Sequence, residues 1–154
     1  MPPSAEQLKG ACACGAVSWQ ATADPQHLDL CYCKTCQQIS GAPFVAWTGI
    51  PKQGLTWHGP ITTFAVNDLA TRSYCQECGS TLSMHYHCYP DKIHVAAGTV
   101  TDGEKLLPPV NMHIFISRKP QWYTLPDDKI EKWDEFDTET QKMLDDWRSR
   151  QGST

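Results

Sequence analysis

No stretch of the chain approaches the ~18 consecutive apolar residues that a membrane-spanning helix requires, so no helical span is expected and membranes are not expected as partners. Positive charge is also short. Thirteen Lys and Arg stand against 17 Asp and Glu, for a net charge of −4, and this balance gives nucleic acid no electrostatic hold. The opening residues, Met1-Pro2-Pro3-Ser4-Ala5-Glu6, have neither the basic start nor the apolar stretch of a secretory signal, and a cytoplasmic protein is expected. Internal repeats and low-complexity segments are missing as well. With 154 residues, 40% hydrophobic and 19% charged, the composition is that of one ordinary globular domain with room for a short tail.

What the chain has in excess is cysteine, eight in all: Cys12, Cys14, Cys31, Cys33, Cys36, Cys75, Cys78 and Cys88. Cytosolic thiols are kept reduced, so a disulfide framework would need an exported protein. Spacing separates the two readings further. Seven of the eight fall into tight groups, Cys12-x-Cys14, Cys31-x-Cys33-x-x-Cys36 and Cys75-x-x-Cys78. Thiolates one or two residues apart aim at a common ion readily and bridge to each other only with strain. Metal binding is the expectation.

Short alternating segments bounded by turn signals predict a β-rich body of antiparallel sheet. The segments are Val17–Ala21, Phe44–Ile50, Leu55–His58, Thr62–Val66, Thr71–Tyr74, Thr81–Tyr86, Ile93–Ala97 and His113–Ser117. A short helical turn is expected over Thr35–Ile39. A tail helix is expected where Phe136, Thr140, Met143, Leu144 and Trp147 repeat at helical spacing. The chain thus divides into a zinc-binding body, residues 1–126, and a linker with an amphipathic helix, residues 127–154. Asp127–Glu135 reads as the hinge between body and tail, and its acidic Asp127, Asp128 and Glu131 as a soluble linker. The helix could dock on its own body or on a second copy, making a homodimer.

Seven grouped thiolates divide as four plus three. Cys12, Cys14, Cys75 and Cys78 would close one tetrahedral structural zinc site, with Gly15 and Gly79 allowing tight turns around the ion. Cys31, Cys33 and Cys36 would leave one position of a second zinc open. Three thiolates on zinc carry a net charge of −1, which makes a poor generator of hydroxide. A soft exchangeable ligand suits such an ion, and a small-molecule thiol is the obvious one. The alternative is that Cys88, His85 or His87 fills the fourth position and closes the site. Cys88 otherwise reads as a strand-end residue or a free thiol.

The cysteine groups recur in longer ordered pieces. These are Cys12-Ala13-Cys14-Gly15-Ala16-Val17, Cys31-Tyr32-Cys33-Lys34-Thr35-Cys36 followed by Ser40-Gly41, and Arg72-Ser73-Tyr74-Cys75-Gln76-Glu77-Cys78-Gly79-Ser80. Downstream come Gly98-Thr99-Val100-Thr101-Asp102, His113-Ile114-Phe115 and Pro120-Gln121-Trp122-Tyr123. Over roughly residues 8–125 this pattern resembles the glutathione-dependent formaldehyde-activating enzymes and their relatives, which include centromere protein V. The resemblance implies a β-tent of small antiparallel sheets, a structural zinc on Cys12, Cys14, Cys75 and Cys78, and a catalytic zinc on Cys31, Cys33 and Cys36. It also implies a carbon–sulfur lyase that reversibly joins glutathione and formaldehyde to S-hydroxymethylglutathione. Where members often carry histidine between the first two cysteines of the middle group, this chain has Tyr32, the one candidate in sequence for moving a proton there.

Lys34, Ser40 and Arg72 are candidates for holding a glutathione-like substrate. The bland readings are a solvated strand-face charge for Lys34 and Arg72 and an ordinary helix end for Ser40-Gly41. Trp47, Trp57 and Trp122 read as packing residues, and His27, His58, His94 and His113 as satisfied or exposed histidines. Two functions follow: a zinc-dependent lyase acting on small thiol adducts, or a non-catalytic, zinc-stabilised binding module. The absence of a basic or disordered arm favours the enzyme.

Overall fold

Strand β2 (Ser18–Ala21) illustrates how the body forms: Trp19 and Ala21 turn inward while Ser18 and Gln20 turn outward, the period-two pattern of a half-buried strand. A computed structural model of the chain describes residues 6–152. Two sheets make up the body. The smaller places β1 (Leu8–Ala11) between β10 (Val100–Asp102) and β2, with β5 (Leu55–His58) at the other edge, every pair antiparallel. Leu8, Trp19 and Ala21 of this sheet bury a core together with Ile50 and Val95.

The larger sheet has eight strands. At its centre β3 (His27–Cys31) pairs with β4 (Val45–Pro51), followed by β9 (Lys92–Ala96), β8 (Thr81–Tyr86), β7 (Ala70–Cys75) and β6 (Ile61–Phe64), all antiparallel. On the other side of β3 lie β11 (Met112–Ile114) and β12 (Glu131–Lys132), and both pairings there are parallel. The antiparallel expectation therefore holds for most of the fold and fails at this edge. The reason is connection length: a tight turn forces the chain to reverse, whereas β3 and β11 are joined through a long excursion that lets either direction return.

Helix α1 (Lys34–Ser40) begins directly after β3, and α2 (Thr138–Gln151) closes the chain. The Asp137 carboxylate caps α2 by accepting from the Thr140 amide. Leu144 is buried in the main core of its own chain, with Phe136 and Trp147 packed beside it. The stretch read as a hinge is bound along its length. β12 pairs with β11, the Trp133 amide donates to the His113 carbonyl at 2.9 Å, and the Phe115 amide donates to the Glu135 carbonyl at 3.1 Å. Of the three tryptophans read as packing residues, Trp47 is buried and Trp57 half-buried, but Trp122 is 73% exposed, touching Tyr123 edge-on.

Gly10 lies flat under the Trp19 indole, where an added Cβ would overlap the ring. The ring is itself fixed by a hydrogen bond from its Nε1 to Thr99 Oγ1. Gly10→Ala should therefore lower the unfolding free energy by about 1–3 kcal/mol, the usual cost of overpacking. Gly98→Ala, where a Cβ meets nothing within 4 Å, should leave it unchanged. Urea denaturation of the two variants checks the contrast.

Candidate metal centres

Each of the outer cysteine pairs sits in a tight backbone knuckle. In the first, the Cys12 amide donates to the Val17 carbonyl at 3.0 Å and the Gly15 amide to the Cys12 carbonyl at 3.1 Å. In the second, the Cys75 amide donates to the Ser80 carbonyl at 3.0 Å and the Gly79 amide to the Cys75 carbonyl at 2.8 Å. Both turns run through left-handed glycine, Gly15 at φ 79° and Gly79 at φ 77°, a conformation that side chains with a Cβ resist. The fold brings the knuckles together, and the four sulfurs of Cys12, Cys14, Cys75 and Cys78 lie within 4.8 Å of one another.

Backbone and hydroxyl donors are already aimed at this group. The Val17 amide donates to Cys12 Sγ at 3.2 Å. Ser80 Oγ accepts from the Ala13 amide at 3.0 Å and stands 3.1 Å from Cys78 Sγ, so one hydroxyl links the two knuckles. Donation from that hydroxyl, helped by the Ser80 and Cys14 amides, pushes the Cys78 thiol down to about 5. Thiolate character of this kind is what a metal ligand needs.

The middle group is assembled differently. Cys31 ends β3, Cys33 is the N-cap of α1, and Cys36 lies in the first turn of that helix. The Cys33 sulfur accepts from the Cys36 amide at 3.4 Å, doing the work of a capping oxygen. A strand end followed at once by a helix start swings three sulfurs to within 4.8 Å of one another. Their protons are shared unequally. Hydrogen bonds from Cys31 and Cys36 pull Cys33 down to about 2, while Cys31, which donates to Cys33 and is buried, is pushed well above the ordinary thiol range.

Two further residues complete this site, and the sequence reading gave neither of them this place. Trp47 Nε1 donates to Cys36 Sγ at 3.4 Å, and Arg72 Nη1 donates to the same sulfur at 3.7 Å. The Arg72 guanidinium stands 5.9 Å from the Trp47 ring centroid. Arg72 is only 8% exposed, so the solvated strand-face reading is corrected. The legible signal was strand phase. Ala70 and Arg72 share one face of β7, and that face turns toward the main core. Burial opposes the charge of Arg72, and the Cys36 sulfur beside it more than offsets the penalty.

The other candidates fall elsewhere. Tyr32 is fully buried, and its hydroxyl is engaged by His113 Nδ1 at 3.0 Å, with His113 Nε2 in turn 2.7 Å from Asp128 Oδ2. Burial, then Tyr123, raises the Tyr32 phenol above its ordinary range, which makes it a poor proton donor. Asp128 is exposed, as the linker reading expected, yet it is not unpartnered: Lys132 and His113 hold its carboxyl below the usual range. Lys34 is exposed and reaches Gln37 Oε1 at 3.5 Å. Ser40 Oγ donates to the Cys36 carbonyl at 2.7 Å and Gly41 takes the left-handed turn at φ 69°, an ordinary helix end. Cys88 is buried in the main core, where burial raises its thiol. His85 and His87 are held by the Pro90 and Asp68 carbonyls. Among the described residues, none of these three joins Cys31, Cys33 and Cys36.

Two cysteine clusters that could hold metal ions, set in a mostly β body, match known proteins. A structure solved for a Rhodobacter sphaeroides protein aligns with 81% of this chain and 98% of that one, at a TM-score of 0.52 and 15% sequence identity, a likeness of fold. A Schizosaccharomyces pombe protein named as an uncharacterized lyase is 29% identical over 80 residues, which is 52% of this chain and 58% of the relative's length. The chain therefore matches less than two thirds of that relative. The family model described as glutathione-dependent formaldehyde-activating enzyme matches residues 7–118, a span that contains all seven clustered cysteines and Arg72. The chain belongs to the glutathione-dependent formaldehyde-activating enzyme family.

Proposed function

We propose that the protein is a zinc-dependent carbon–sulfur lyase that makes and breaks adducts of a small thiol with an aldehyde, such as S-hydroxymethylglutathione. The observation that carries this reading is the three-cysteine group to which, among the described residues, no fourth His, Cys, Asp or Glu is brought, set beside the buried Arg72. Zinc suits the donor chemistry of both clusters. The sulfur separations of 3.5 Å for Cys12–Cys14 and 4.0 Å for Cys14–Cys75 bracket the roughly 3.8 Å edge of a tetrahedron with Zn–S bonds of ~2.3 Å. Cys12, Cys14, Cys75 and Cys78 would hold a structural ion, and Cys31, Cys33 and Cys36 a reactive one. Zinc at the second cluster would supply a soft Lewis acid that keeps an incoming thiol as thiolate near neutral pH.

The chain's own residues prepare that chemistry. Three thiolates around a divalent ion leave one net negative charge in a buried place, and Arg72 neutralises it. The Trp47 and Arg72 donors fix the Cys36 sulfur, leaving its lone pairs oriented. In the forward direction the substrate sulfur bonds to the aldehyde carbon as the C=O π bond opens. The oxygen takes up the proton that the thiol gave away, so atoms and charge balance. With Tyr32 bound to His113, that proton has to come from elsewhere than the phenol. The family match and the lyase-named relative support the same class of reaction.

The direct test replaces zinc by cobalt and titrates in a small thiol. A change in the thiolate-to-metal absorption of one of two ions is expected; two unresponsive ions would make the protein a binding module instead. Cys33→Ser keeps a good N-cap for α1 and should bring metal content from two ions per chain to one, abolishing turnover with near-UV circular dichroism retained. Cys75→Ser should lose the cooperative unfolding transition, because structural metal binding is folding energy. Arg72→Met should weaken metal binding at the second cluster by about 10–100-fold, measured by chelator competition.

A further inference from the structure

Tyr32 stands between two cysteines of the inner cluster, and each of its polar groups is bound. Its amide donates to the Ile114 carbonyl at 3.0 Å, its carbonyl accepts from Gln37 Nε2 at 2.7 Å, and its hydroxyl lies 3.0 Å from His113 Nδ1. Gln37 Nε2 also donates to the Arg118 carbonyl at 2.8 Å. Register shows which way the side chains face. β11 runs parallel to β3, with Ile114 opposite Cys31 and His113 opposite Leu30. Cys31 and Ile114 enter the main core, Cys33 packs against it, and alternation sends His113 and Tyr32 to the other face. Residues i and i+2 of an extended chain share a face, so Tyr32 drawn one way turns Cys31 and Cys33 the other.

His113 is anchored in turn from the tail. Its Nε2 meets Asp128 Oδ2 at 2.7 Å, while Asp128 Oδ1 accepts from the Ile130 amide at 3.1 Å and from Lys132 Nζ at 2.8 Å. Asp128 lies outside residues 7–118, the span that matches the family model. A carboxylate only accepts, so Asp128 keeps the proton of a neutral imidazole on Nε2 and leaves Nδ1 to accept from the phenol. Packing alone does not require these bonds. Tyr32 and His113 are both 0% exposed, and apolar side chains would fill a core without two buried polar groups. A buried network with every member satisfied makes what it touches rigid.

We propose that His113 and Asp128 are positioning residues of the three-cysteine centre, holding the Tyr32 side chain so that Cys31 and Cys33 present their sulfurs to one ion. Both act through Tyr32. The idea rests on the inner cluster binding metal, and it makes the tail part of that site. Cobalt titration of the full chain with chelator competition tests it without thiol or turnover. Cys33→Ser supplies the absorption of the outer ion alone, and the difference from the native chain isolates the inner one. Tyr32→Phe keeps the ring and removes the hydroxyl; it should weaken cobalt at the inner cluster about tenfold and leave the outer cluster unchanged. Asp128→Ala should act in the same direction, and Asp128→Asn, whose amide oxygen still accepts from Nε2, should recover most of the loss. In the native chain, long-range proton–nitrogen NMR should find the His113 proton on Nε2. A role in general stability alone would weaken both clusters in proportion. That result overturns the proposal, as do native inner-cluster affinity in Tyr32→Phe, no recovery in Asp128→Asn, or a His113 proton on Nδ1. A native chain that binds only the outer ion overturns the two-metal reading as well.

Discussion

Much of the molecule follows from the need to keep sulfur charged inside a protein. Thiolates are costly to bury, and the two clusters meet that cost in different ways. The outer one stands half in solvent, with Cys14 and Cys78 exposed and backbone amides and the Ser80 hydroxyl turned toward the sulfurs. The inner one is more deeply set, with Cys31 and Cys36 buried and Cys33 half-buried, and a guanidinium and an indole N–H donate to its Cys36 sulfur. Arg72 is tolerated in the core only because Cys36 is there. The two groups justify each other.

That mutual dependence explains what could be read from the sequence and what could not. Metal-type cysteine spacing is local, so the four-plus-three division was visible in the order of residues alone. Strand segments such as 81–86 and 92–96 showed themselves through alternation or β-branched composition. β1 was hidden by Gly10, whose function is to make space for Trp19, and β3 by Asp29 at its centre, a residue that strands disfavour. The partners of Arg72 and Tyr32 lie 36 and 81 residues away. No pattern within a window of sequence encodes such pairings; they exist only once the sheet order is set.

The segment after residue 127 shows the same limit from the other side. Its acidic composition reads as solvated, yet Asp128 meets His113, β12 extends the larger sheet, and Trp133 and Phe136 pack on the main core. Composition predicts exposure on average. Asp127, Asp128 and Glu131 are indeed exposed, and exposure did not keep Asp128 from pairing with a buried histidine.

The chain of contacts from Tyr32 through His113 to Asp128 also sets an order of assembly during synthesis. The outer cluster has all four sulfurs as soon as residue 78 has left the ribosome. The inner cluster has its three by residue 36, but the buried phenol between two of them gains its imidazole only at residue 113 and the carboxylate behind it only at residue 128. A nascent chain therefore holds all seven grouped sulfurs well before the contacts that fix Tyr32 between Cys31 and Cys33 are available.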